Sequence, residues 1–190
     1  MTEYAVFDTA IGPCGIAWNE RGILAVRFAE GDETRTREKL LRRVPGATEA
    51  VPTLAVQHAI DSVVALLRGE RRDLRDILID DANTPAFNRK VYAIARQIPP
   101  GQTMTYGEIA KRLGDKLLAR DVGQALGENP TPIIVPCHRV LAADGKTGGF
   151  SAPGGVKTKL RLLSIEGAQP GGPTLFERLP LVARSSQRAD

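Results

Sequence analysis

The sequence predicts a mixed α/β protein, with a small antiparallel sheet in a front unit and a mostly helical back unit. Three observations carry this. The stretches EYAVFDT, CGIAWNE and GILAVRFA follow one another at the front, parted by turn residues. Apolar residues then recur at helical spacing. Beyond Thr84, two short helical stretches meet at Gly114-Asp115-Lys116, as in a helix-turn-helix. The expected organisation is residues 1–83 as an α/β domain, 84–167 as a helical domain, and 168–190 as a partly disordered extension.

Taken in order, the three β-like stretches read as a meander turning at Glu20-Arg21-Gly22. DETRTREKLLRRV has helical character and stops at Pro45-Gly46. TLAVQHAIDSVVALLRGE places Leu54, Val56, Ile60, Val63, Val64 and Leu67 on one stripe, and Gly69 closes it. His58 falls on that helix as a surface or packing residue, and RDILID reads as a last strand. TPAFNRKVYAIARQI opens with Thr84 as N-cap and Pro85 at the first helical position. In TYGEIAKRLG, Thr105 and Glu108 stand at capping-box spacing. LLARDVGQALGEN follows, then a glycine-rich loop GKTGGFSAPGG, then GVKTKLRLLSIEG as a final helix closed by Gly167.

Composition narrows the class. A 42% hydrophobic and 25% charged chain of 190 residues is that of an ordinary globular protein. It has no apolar run long enough for a membrane span, and its start lacks a secretory pattern. Two cysteines make no disulfide framework, and no CxxC or paired-His spacing suggests zinc. A cytoplasmic, intracellular protein is expected, although a Cys14–Cys137 bridge stays open at this level. Cys14, at a probable turn without an activating partner, reads as structural. Residues 1–85 carry 11 Lys/Arg against 14 Asp/Glu, and residues 86–190 carry 15 against 8. A basic back half fits a polyanionic partner, and equally fits ordinary surface variation.

The chemistry centres on IVPCHRVLAADG, Ile134–Gly145, where Cys137 stands beside His138. A free thiol has a pKa near about 8.5 and reacts as thiolate, so a nucleophile needs a base or a positive neighbour. On a regular strand Cys137 and His138 would face opposite ways. Pro136 and Asn129-Pro130-Thr131-Pro132 make the backbone irregular, which leaves room for a water between thiol and imidazole. Glu166 on the last helix is a candidate to orient the histidine. A small buried hydrophobe is the other reading of Cys137. In the second helix of the pair, Ala119, Gly123, Ala125 and Gly127 are small, and Arg120 and Gln124 lie one turn apart. Interior glycine costs roughly 0.5–1 kcal/mol relative to alanine, so either tight helix packing or a narrow groove explains it.

IVPCHRV resembles the active-site motif of the O6-alkylguanine-DNA alkyltransferases, the methylated-DNA–protein-cysteine methyltransferases. TYGEIAKRLG, ARDVGQALGENPTPIIVPCHRVLAADG, GGFS and LLSIEG follow in the family's order, so the resemblance is strong over residues 85–167. It implies a ribonuclease H-like front domain and a winged helix-turn-helix-like back domain. It further implies a nucleoid-associated monomer that binds duplex DNA containing O6-alkylguanine and needs no cofactor. The base is flipped out and its alkyl group passes to the cysteine, once per molecule. By this resemblance Cys137 is the nucleophile, His138 the base through a water, and Glu166 the residue behind it. Asn129 braces the cysteine turn, and Tyr106 contacts the base and protonates the leaving guanine. Arg120 fills the vacated stack, with Ala119, Gly123 and Gln124 on the helix in the minor groove. Val140, Ser151 and Phe150 belong to the base pocket.

The chain also departs from the family pattern. Asp121 and Glu128 bring acid close to where phosphates would lie, which should weaken binding, unless Asp121 points away or accepts a bond from a base amino group. Phe150 stands where some relatives have tyrosine, SAPGG makes a loop slightly longer than in shorter relatives, and the zinc ligands of some relatives' front domains are missing. Three other readings remain at this level. One is a lesion-recognition protein without transfer, which Cys137 opposes. A thiol hydrolase would turn over. A transcription regulator would need base readout that a minor-groove helix lacks.

Overall fold

The computed structural model describes residues 1–143 and 146–168. Strands β1 (Glu3–Phe7), β2 (Cys14–Asn19) and β3 (Gly22–Arg27) form the expected antiparallel meander. A two-residue strand, β4 (Thr48–Glu49), adds to β1 in parallel, giving the order β3-β2-β1-β4. Gly22 at the β2–β3 turn has φ +143°, and a Cβ there would lie 2.7 Å from Leu78 O, so only glycine fits.

Side chains alternate across the sheet, and both faces are covered. Tyr4, Ala17 and Ala25 pack with Leu40 of α1 (Glu33–Arg43), whose N-terminus is capped by Asp32 accepting from Arg35 N. Ile16, Trp18 and Val26 face the other way, against Val56, Ile60, Val63 and Leu66 of α2 (Leu54–Leu67). Burial on both faces is why β2 is buried along nearly its whole length instead of alternating.

Two sequence expectations are corrected. RDILID is not a strand, since Ile79 makes only an isolated bridge to Ile23. The Arg96 guanidinium takes the carbonyls of Leu74, Arg75 and Ile77, leaving little for a ladder. Thr84 does not cap α3 (Ala86–Ala95); Pro85 occupies the N-cap, with no side-chain cap bond.

The back half continues with β5 (Met104–Thr105), α4 (Tyr106–Arg112), a 3-10 turn at Lys116–Leu118 and α5 (Ala119–Gly127). The Thr105–Glu108 capping box is present. A second 3-10 turn, Cys137–Arg139, runs into β6 (Val140–Leu141), and α6 spans Val156–Ile165. Strand β6 pairs with β5 in parallel, Met104 with Val140. That pairing brings the start of α4 beside the cysteine turn.

The halves share a core. Ile133, Ile134 and Leu162 pack into the same cluster as Trp18 and Leu66. Val26 N donates to Pro130 O at 2.9 Å, and Phe28 meets Phe150 edge to face at 6.0 Å. Among the described residues no helix is long and apolar enough to cross a membrane. The extension expected at 168–190 lies outside the described residues, except for Ala168, which is buried against Leu141 and Leu163.

Candidate active site

The segment from Asn129 to Cys137 is a knot of turns held by one side chain. Asn129 Nδ2 donates to Val135 O (2.9 Å), and its Oδ1 accepts from Thr131 N (3.0 Å). Val135 N and Cys137 N bond back to Thr131 O and Val135 O, both at 2.8 Å. Ile133 sits at φ +75°, a left-handed conformation costing about 1–3 kcal/mol for a β-branched residue. Its side chain is buried in the front half's core, which offsets that cost.

Cys137 and His138 are both buried, in a turn instead of a strand. His138 Nε2 lies 2.9 Å from Glu166 Oε1. Glu166 is the C-cap of α6 and also receives Arg139 through Nε (2.9 Å) and a terminal nitrogen (2.8 Å). Arg139 adds a bond to Ile98 O at 2.6 Å. Burial would raise the Glu166 carboxyl, yet bonds from His138 and Arg139 hold it down at about 2. Burial pushes the His138 pKa below its ordinary value, against the pull of Glu166, so the ring is neutral at pH 7. A carboxylate acceptor at Nε2 places the ring proton there. Nδ1 is then an acceptor, and it is buried with no partner in the protein.

Burial also raises the Cys137 thiol, while Asn129, Lys159 and nearby backbone amides pull it the other way. Lys159 is fully buried and donates to Val140 O and Thr147 O (both 2.6 Å), Gly149 O (3.4 Å) and Tyr106 Oη (3.5 Å). Burial lowers its pKa to about 8, and the Cys137 thiolate opposes that. Burial first, then the charge on Cys137, raises the Tyr106 phenol.

Cys137 opens onto a cleft of about 550 Å³. The structure brings Tyr106, Ala119, Arg120, Gly123, Phe150 and Ser151 together around it. Gly123 and Gly127 face this space, and a Cβ at either would meet nothing closer than 3.9 Å. Helix packing therefore does not require them to be glycine. Gly148 is different: at φ +68° its Cβ would come within 3.0 Å of the Tyr106 ring.

Besides His138 and Glu166, three expected residues stand apart from the cleft lining. Val140 is buried behind it, its carbonyl taken by Lys159. Gln124 is exposed and donates to Glu128 at 3.2 Å. Asn129 acts on the turn from behind. Glu128 is further held by Asn88 at 2.9 Å, while Asp121 is exposed in the first turn of α5. His58 is on the surface with Asp76, and both cysteines are free.

Sequence reasoning missed Arg139 and Lys159. Lys159 lies three and four residues before the buried Leu162 and Leu163, a core position on the α6 stripe, and a charge there was the available signal. Arg139 was visible only as a neighbour of His138. Among the described residues no group of three or more His, Cys, Asp or Glu could hold a metal.

The chain carries an arrangement that cysteine-nucleophile proteins use, a cysteine on a cleft next to a histidine–carboxylate pair. Its relatives are specific. Residues 86–168 match the family described as 6-O-methylguanine DNA methyltransferase, DNA binding domain. The chain is 33% identical over 158 residues to the methylated-DNA–protein-cysteine methyltransferase of Methanothermobacter thermautotrophicus, covering 83% of this chain and 81% of that one. To the Mycobacterium tuberculosis protein of the same name it is 36% identical over 179 residues, covering 93% of this chain and all (100%) of that one. The crystal structure of M. tuberculosis OGT in complex with DNA superposes with a TM-score of 0.71 at 32% identity, over 87% of this chain and 92% of that one. The chain belongs to the methylated-DNA–protein-cysteine methyltransferase family.

Proposed function

We propose that this chain repairs DNA by direct reversal, moving the alkyl group from O6 of guanine in duplex DNA to Cys137 Sγ, once per molecule. One observation carries the reading. Cys137 lines the cleft that Tyr106 and Arg120 border, while the His138–Glu166 pair stands behind it with Nδ1 unengaged.

The chemistry follows from the residues. His138 Nδ1 takes the thiol proton by way of one water, and Glu166 stabilises the imidazolium that forms. Lys159 favours the thiolate over the thiol. Sulfur attacks the alkyl carbon, the bond from that carbon to O6 breaks, and guanine leaves. Tyr106 supplies the leaving base with a proton, and Lys159 beside its hydroxyl eases the charge left on it. The resulting thioether has no leaving path, so each molecule acts once.

A base stacked in duplex DNA cannot reach a buried thiol, so the nucleotide must turn out at a cost of a few kcal/mol. Arg120 enters the vacated stack, a role its exposure at the start of α5 supports. Ala119, Gly123 and Gly127 leave the helix face low enough for a narrow groove. Gln124 contacts the backbone nearby, Ser151 and Phe150 border the base, and Val140 supports them from behind. All these residues come from one chain, and we infer a monomer.

The test is intact-protein mass after incubation with a duplex carrying one O6-methylguanine. The expected result is one added methylene on the Cys137 peptide, saturating at one equivalent. Tight binding with no mass change would leave lesion recognition alone. Many products per protein would mean a hydrolase. Arg120→Ala is expected to slow transfer from duplex DNA while sparing a free alkylguanine base; equal loss on both would remove the stack-filling role.

A further inference from the structure

Cys137 is reached by two cavities. The cleft described above opens on the Tyr106 and Arg120 side. A smaller one, about 130 Å³, meets Cys137 from the front half, and its walls include Arg27, Phe28, Arg43, Pro132, Phe150 and Pro153. In an in-line displacement, sulfur, carbon and oxygen are collinear. Whatever else the carbon bears must project sideways from that line. With guanine in the larger cleft, the smaller cavity is the space left for it.

The smaller cavity holds the part of the alkyl group beyond the reacting carbon, and we propose that Arg43 on its wall selects groups ending in a carboxylate. This rests on the alkyl-transfer reading above.

Size argues first. A water occupies about 30 Å³ of liquid, so the cavity holds roughly four non-hydrogen atoms. A methyl group would leave it nearly empty, and a carboxymethyl group would fill it. Charge argues next. Both Arg27 and Arg43 border the cavity, but Arg27 directs two donors to Glu30. Arg43 gives one donor to Glu128 O at 2.9 Å, and a guanidinium has five. The Glu128 carboxylate does not line this cavity and is occupied by Asn88 and Gln124. Rigidity completes the case. The bond from Val26 N to Pro130 O and the Phe28–Phe150 contact fix the front-half wall to the cysteine segment.

In the reaction, the Cys137 Sγ–CH₂ bond forms and the CH₂–O6 bond breaks. O6 keeps the electron pair, the thiol proton passes through a water to His138, Tyr106 gives a proton to the leaving guanine, and the protein ends as S-carboxymethylcysteine.

The experiment measures single-turnover transfer by the full chain from duplexes carrying O6-methylguanine, O6-carboxymethylguanine or the uncharged O6-propylguanine. Arg43→Ala should lower the carboxymethyl-to-propyl rate ratio about tenfold, the effect of one charge-assisted hydrogen bond. Arg43→Lys should restore most of it. Methyl transfer by the same variants reports that they are folded. An unchanged ratio in Arg43→Ala, or an equal fall on all three substrates, would overturn the proposal. Absence of methyl transfer by the native chain would overturn the alkyl-transfer reading itself, and this inference with it.

Discussion

The front sheet and the cysteine turn are both buried, but by opposite means. Around β2 the interior is apolar, with Ile16, Trp18, Val63 and Leu66 closing it. Around Cys137 it is polar and charged: the neutral His138 and the charged Arg139, Lys159 and Glu166 are all buried there. Apolar burial is non-directional and tolerates repacking. A buried charge is stable only with its partner in place, and loss of one partner is costly. The front sheet thus supplies stability without a reacting group, while the turn ties its stability to the geometry of its chemistry.

That contrast can be broken in graded steps. Cys137→Ala has the largest expected effect: no alkyl uptake by intact mass, with lesion binding by gel shift retained. Glu166→Ala should cost about 3–5 kcal/mol of stability in urea unfolding, because Arg139 loses its counter-ion. It should also slow transfer by two orders of magnitude or so, since His138 loses its orienting group. Leu40→Ala, in the apolar cluster on the sheet face away from the cysteine segment, should cost about 2–5 kcal/mol, yet leave the rate per folded molecule unchanged. A matching fall in that rate would show that the two regions do not separate as described.

Acid should discriminate next. The Glu166 carboxyl lies near 4.5 unfolded and about 2 folded, so its stabilisation is complete above 4.5 and lost as pH falls toward 2. The loss is on the order of 3 kcal/mol. His138, held below its ordinary pKa of 6.5, works in the same direction. The unfolded chain takes up that proton first, so stability begins to decline below about pH 6.5. Glu166→Gln should flatten the acid limb of a stability-against-pH curve. The smallest effect is expected of Thr105→Ala, about 1 kcal/mol from loss of the α4 capping box.

Much of this was legible in the residues, because local signals and tertiary structure agree. The meander, both front helices and the Thr105–Glu108 box were readable from spacing alone. RDILID was misread because what prevents a ladder there is Arg96, a residue distant in sequence. Thr84 was misread because N-cap chemistry is shared by neighbouring positions and Pro85 took the place. At the site, adjacency in the sequence exposed Cys137 and His138, and resemblance supplied Tyr106, Arg120 and Asn129. The Lys159 network escaped because its acceptors are backbone carbonyls, which no residue type announces. The left-handed Ile133 escaped likewise, since its conformation is held by packing from the other half.

The bond from Val26 N to Pro130 O, with Ile133 and Ile134 seated in the front core, has a consequence for how such chains can be rearranged. The two halves are not exchangeable parts. A hybrid joining the first 83 residues of one relative to the remainder of another would carry every reactive group intact. Its cysteine segment would still rest on a foreign strand edge and a foreign core. The misfit would surface at the thiol, far from the junction.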